Sequence, residues 1–98
     1  MKVSNIATKL ISTDDEGGVI SFSIKALIEN DTDETGVLVE LQGLDSDGFE
    51  IYDLILEGNI PVERSMVLTT KEDYVDKALY EQIVRWQDKN NANALADL

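Results

Sequence analysis

From Ile20 to Ala26, within the segment Val19 to Ile28, the chain alternates apolar and polar residues without a break. Ile20, Phe22, Ile24, Ala26 and Ile28 fall on one parity, and Ser21, Ser23 and Lys25 on the other. A period of two places successive side chains on opposite faces of an extended strand. This segment is therefore expected to form a strand with one face in a core and one face wet. A sheet partner and a facing layer must follow from the rest of the chain.

Other segments supply them. Val3 to Ile11 reads as a strand with Ile6 and Leu10 on one face. The run from Asp14 to Gly18 is a turn, since its acids disfavour strand and its glycines accept positive φ. Val37 to Leu44 is a strand with Val37, Val39 and Leu41 inward, Glu40 and Gln42 outward, and a bulge expected at Gly43. Asp45-Ser46-Asp47-Gly48 is a hairpin turn. Phe49 to Leu56 carries apolar residues on both parities, so it is either more buried or bulged, and a patch it leaves uncovered favours self-association. Pro61 closes a turn, and Ser65 to Thr70 is a further short strand.

The C-terminal region differs. Val75, Ala78, Leu79, Ile83 and Trp86 recur at helical spacing, which predicts a helix over 75–87 with capping residues from Thr70 to Asp73. The competing reading makes Tyr80 to Gln87 a closing strand, with Tyr80, Gln82, Val84 and Trp86 on one face. Residues 90–98 are expected to fray as a tail. Five or six short strands separated by turns, with no crossover helix between them, predict a mainly β fold. The expected form is an antiparallel immunoglobulin-like sandwich with a C-terminal helix, built as a single domain over 1–89.

Chemistry is narrowed by what the sequence lacks. None of the 98 residues is cysteine or histidine. Thiolate nucleophiles, disulfides, iron–sulfur clusters, histidine-based triads and HExxH zinc sites are thereby excluded, and no enzymatic activity is expected. Gly17-Gly18 follows acids and lacks the spacing of a phosphate loop. The start of the chain does not read as a signal peptide, and no apolar run approaches the length of a membrane span. Together these predict a cytoplasmic protein.

Charge is the most unusual feature. The formal charge is −12, and from Glu29 to Glu57 there are ten acids and no base. Direct nucleic-acid binding needs a basic footprint, and anionic membranes repel such a surface, so neither is an expected partner. A basic protein partner is, and so is self-association. Two acidic loops, Asp31-Thr32-Asp33-Glu34 and Asp45-Ser46-Asp47-Gly48-Phe49-Glu50, supply oxygens of the type calcium takes. If both lie at one end of a sandwich, Asp31, Asp33, Asp45, Asp47 and Glu50 form a composite calcium site. That is the only cofactor the sequence offers, and otherwise none is expected. Glu40 and Glu50 form a candidate carboxylate pair across the hairpin. Tyr74, Tyr80 and Trp86 form either an aromatic platform or the seam between a helix and a sheet.

The order of features over Val19 to Thr70 resembles the FxLYD group of small immunoglobulin-like β-sandwich domains. An alternating strand runs into Asn30, a second (VLVELQGLD) follows, and an Asp-x-x-Gly turn comes after it at Asp45 to Gly48. Leu41 and Leu44 stand at the aromatic positions and Asp45 at the aspartate. Phe49-Glu50-Ile51-Tyr52-Asp53, after the turn, also spells the motif nearly literally. The resemblance implies a β-sandwich with no catalytic residues, in a group whose members are usually exported or membrane-tethered. The expected function is a non-catalytic interaction or accessory module, acting through a sheet edge or the acidic surface. The alternatives are a calcium-binding β domain and an acidic mimic of nucleic acid that captures a basic protein.

Overall fold

In the computed structural model, which describes residues 1–14 and 16–89, seven strands and one short helix form two facing antiparallel sheets. In the first sheet β1 (Lys2–Asp14) pairs along one edge of β2 (Val19–Glu29). On the other edge of β2, β5 (Ser65–Thr69) and β6 (Asp73–Asp76) pair in tandem. In the second sheet β3 (Gly36–Leu44) lies between β4 (Glu50–Asn59) and β7 (Arg85–Asp88). The chain crosses between sheets after β2, after β4 and through α1 (Lys77–Gln82). This is the antiparallel order of an immunoglobulin-like sandwich.

The alternation of β2 does what its parity dictates. Ile20, Phe22, Ile24, Ala26 and Ile28 are at most 2% exposed and face Val37, Val39, Leu41, Leu54 and Leu56 of the second sheet. Burying a side chain the size of Phe22 contributes about 3 kcal/mol. The ladder does shift register between Gly43 and Leu44, but the extra residue is Ile51 on β4, skipped between Tyr52 opposite Gly43 and Glu50 opposite Leu44, rather than Gly43 itself. A Cβ at Gly43 would stand 3.1 Å from Ile83 and 3.3 Å from Trp86, so the missing side chain is what lets both pack onto β3. Phe49 to Leu56 resolves its double parity as one buried face: Tyr52, Leu54 and Leu56 point inward, while Ile55 is exposed.

Several expectations require correction. The helix over 75–87 is confined to Lys77–Gln82. Val75 belongs to β6, opposite Ile20, and Trp86 belongs to β7, opposite Gly43. The helical spacing arises because a strand end, one helical turn and a strand start all aim side chains at one core. The expected capping residues do not cap: Asp76 holds the N-cap position without a side-chain bond, and Thr70 Oγ1 instead accepts from the Ile24 N–H at 3.1 Å. The competing closing strand exists but begins at Arg85, and Val84 is exposed. Leu10 does not share a buried face with Ile6. Asn5 takes φ 53°, and pairing with β2 slips beside it and again between Leu10 and Ser12; Leu10 lies opposite the buried Phe22 but, on the edge strand, is 48% exposed. Ser21 is fully buried rather than wet, bonded to Ser12 through hydroxyl oxygens 2.6 Å apart. Gln42 is also buried, its Oε1 accepting from Gln87 Nε2 at 2.6 Å. The strands number seven among the described residues, not five or six. The tail at 90–98 lies outside the described residues.

The crossover from β2 to β3 is held by Asn30, whose side chain is fully buried. Its Nδ2 donates to the carbonyls of Glu34 (2.7 Å) and Ile60 (2.8 Å). Its Oδ1 accepts from the N–H (3.0 Å) and hydroxyl (2.6 Å) of Thr32. Its backbone N–H donates to Arg64 O, and its carbonyl accepts from the Glu63 N–H. Asn30→Asp would turn a carboxylate oxygen onto two carbonyls in a dry site. We expect it to cost about 3–5 kcal/mol, the range for an uncompensated buried charge, as read by urea unfolding at neutral pH.

Candidate interaction surface

The structure separates the two acidic loops. One precedes β3 and the other follows it, so nine residues of extended strand, about 27 Å, stand between them. Asp31 lies beside the Met1 ammonium, which donates to its carboxylate at 2.7 Å and holds its pKa below the ordinary value. Asp33 and Glu34 are exposed. Asp45 Oδ1 is already engaged, accepting from the N–H groups of Asp47 (3.0 Å) and Phe49 (2.9 Å), while Gly48 takes φ 87° to close the turn. Asp47 is exposed, and Glu50 reaches Lys89. The five residues of the composite calcium site are therefore not brought together. Among the described residues no three acids are grouped to hold a metal.

Glu40 and Glu50 are not cross-strand partners, since Glu40 lies opposite Ile55 and Glu50 opposite Leu44. Both reach Lys89 Nζ, at 3.8 and 3.7 Å, which makes a partly exposed ion triad on the second sheet.

The three aromatics also part company. Tyr80 and Trp86 stack around Phe22, with centroids 5.1 and 5.8 Å from it, at the end of the core. Tyr74 is 68% exposed and lies opposite Ser21 in the first sheet. Tyr52 completes the cluster, edge-on to Phe22 at 6.2 Å and to Trp86 at 5.9 Å. Its hydroxyl donates to Asp73 Oδ2 at 3.1 Å, linking β4 of one sheet to β6 of the other. Sequence reading missed this bond because nothing local pairs positions 52 and 73.

What the geometry does assemble is the outer face of β3 and β4. Across this ladder Leu38 lies opposite Glu57, Glu40 opposite Ile55, and Gln42 opposite Asp53. Leu38 and Ile55 are about half exposed, and Asp53 and Glu57 are exposed and make no ion pair among the described residues. Two aliphatic side chains thus sit among three carboxylates. A shallow depression lined by Gly36, Val37, Leu38, Glu57, Gly58 and Asn59 adjoins them. The outer face of the other sheet carries two lysines. Lys9 lies opposite Ser23, and Lys25 opposite Ala7 and Thr69, around a groove those residues line. Lys9 and Lys25 therefore lie on the sheet opposite Glu40, Asp53 and Glu57, although the first sheet also carries Asp14, Glu29, Asp73 and Asp76. Among the described residues no helix is long and apolar enough to cross a membrane.

Comparison with protein-family models, with curated proteins and with solved structures found no match to this chain.

Burial, the nearby charge of Asp73, the hydrogen bond to it and the charge of Asp53 push the Tyr52 phenol up to about 12. The folded state favours the neutral phenol. Its contribution is therefore full below the unfolded value of about 10 and is lost as pH climbs through the folded one. In a phenolate absorbance titration we expect one tyrosine to ionise late, and Tyr52→Phe to remove that late phase. The same substitution should cost about 1 kcal/mol at neutral pH, a difference that shrinks above about pH 10.

Proposed function

We propose that this protein is a non-catalytic interaction module that receives a basic segment of a protein partner on the outer face of β3 and β4. The observation that carries the reading is the placement of Glu40, Asp53 and Glu57 around the exposed Leu38 and Ile55. Carboxylates steer a cationic partner and set its orientation, while exposed aliphatics add contact area that water leaves on binding. The net charge of −12 favours encounter with a basic partner and disfavours anionic ones. The absence of cysteine and histidine supports a role without bond-making chemistry. A cytoplasmic setting belongs to the same reading, because no thiol calls for an oxidising compartment. Kinship with the FxLYD domains rests on the Asp45–Gly48 turn and the strands around it.

One observation favours a second reading, self-association. Lys9 and Lys25 on the outer face of the first sheet complement the acids on the second, so one copy can stack on the next. Repulsion between two molecules of charge −12 opposes this, which is why a foreign basic partner ranks first. Light scattering at high concentration separates the two.

Titration of the isotope-labelled protein with a short lysine- and arginine-rich peptide tests the main reading. Amide shifts should concentrate on Leu38–Gln42 and Asp53–Glu57 and weaken as salt is raised. Asp53→Lys with Glu57→Lys should lower affinity by about tenfold or more, equivalent to about 1.4 kcal/mol. Shifts confined to the Lys9 and Lys25 face, or no shifts, would overturn it.

A further inference from the structure

The sandwich has several open edges, and they are not alike. β1 is interrupted twice, at Asn5 and between Leu10 and Ser12, which breaks its row of outward backbone groups. β5, β6 and β7 are five, four and four residues long. β4 is different. From Tyr52 to Asn59 it pairs residue for residue with β3 on one side, and among the described residues no strand pairs with its other side. A free edge of that length presents unpaired N–H and C=O groups in the geometry an added strand needs.

Along this edge the outward side chains are Asp53, Ile55 and Glu57, acid, apolar and acid at a period of two. A second copy's β4 would set carboxylates against carboxylates, a destabilising cross-strand pairing. A strand with bases at the positions facing Asp53 and Glu57, and an apolar residue between them, meets the opposite conditions.

We infer that β4 accepts an extended segment of a partner protein as an added strand, and that the segment carries Lys or Arg four residues apart with an apolar residue midway. This rests on the proposed basic partner and specifies how it is held. The backbone ladder supplies binding that does not depend on sequence, and Asp53, Ile55 and Glu57 supply selection by alternate side chains. The segment's other side chains face the sandwich rim and are not selected by charge.

The test uses the full chain and three synthetic peptides. The first has seven residues, with lysine at the second and sixth positions, valine at the fourth and threonine elsewhere. The second has the same composition with its lysines adjacent. The third is the first with alternate backbone nitrogens methylated, which blocks ladder formation. We expect the alternating peptide to bind about tenfold more tightly than the scrambled one, and methylation to abolish that advantage. Amide shifts should run along Tyr52 to Asn59. Asp53→Lys with Glu57→Lys should reverse the preference, so that the same peptide with glutamates in place of lysines binds better. These exposed positions lie outside the core, and a circular dichroism melt confirms that the variant folds. Equal, salt-sensitive binding of all three peptides would overturn strand addition and leave the acidic-face reading standing. No binding of any peptide would overturn both.

Discussion

A buried amide with every hydrogen-bonding atom engaged holds the two sheets of this sandwich in relation to each other. Asn30 directly follows β2, and its side chain reaches the Thr32–Glu34 loop and the carbonyl of Ile60 beyond β4. Its backbone meets the turn that leads to β5. Two of the three connections between the sheets therefore converge on one residue. Glu63, beside it, takes a left-handed φ of 64°, which costs a non-glycine residue free energy and is held by the bond from its N–H to Asn30. Once these bonds fix where β2 ends and β3 begins, the parity of both strands decides which residues enter the core.

Parity is also what made most of the fold legible in the sequence. Alternate residues of Ile20 to Ile28 and of Val37 to Leu41 are apolar, and these inward residues form much of the core. The Asp45–Gly48 turn was readable because its chemistry is local: an aspartate bonding its own following N–H groups and a glycine with positive φ. The illegible parts depend on contacts far apart in the chain. Val75 and Trp86 keep helical spacing in sequence yet lie in strands of different sheets, because each is captured by a partner strand more than forty residues away. Leu10 is exposed although it pairs opposite the buried Phe22, because β1 is an edge strand, and which strand lies at an edge leaves no mark in composition. For the surface, the excess of acid between Glu29 and Glu57 was plain, but its partition was not. Only the register of β3 against β4 shows that Asp53 and Glu57 flank Ile55, while Asp31 and Asp45 stand at opposite ends of a strand.

The partition gives the molecule two unlike faces. On its outer face the first sheet sets Lys9 and Lys25 among Ser23, Thr69 and the exposed Val67, and the second sets Glu40, Asp53 and Glu57 around Leu38 and Ile55. Lys89 occupies Glu40 and Glu50 at the β7 side, so the uncompensated charge lies toward β4, the strand with the long open edge. Charge on an edge strand ordinarily guards against fibrous aggregation. Here the same charges exclude the chain's own acidic strand while leaving a basic one admissible, so protection from aggregation and choice of partner have one physical origin.

The engagement of Asn30 has a chemical consequence as well. Asn30-Asp31-Thr32 spells the acceptor triplet for N-linked oligosaccharide transfer. Attachment requires a free Nδ2 on an accessible side chain. In the folded chain that nitrogen donates both its hydrogens to main-chain oxygens, and the residue has no exposed surface. Folding therefore closes the triplet to modification. A sugar attached to the nascent chain would occupy the space in which the crossovers meet, and the sandwich could not close around it.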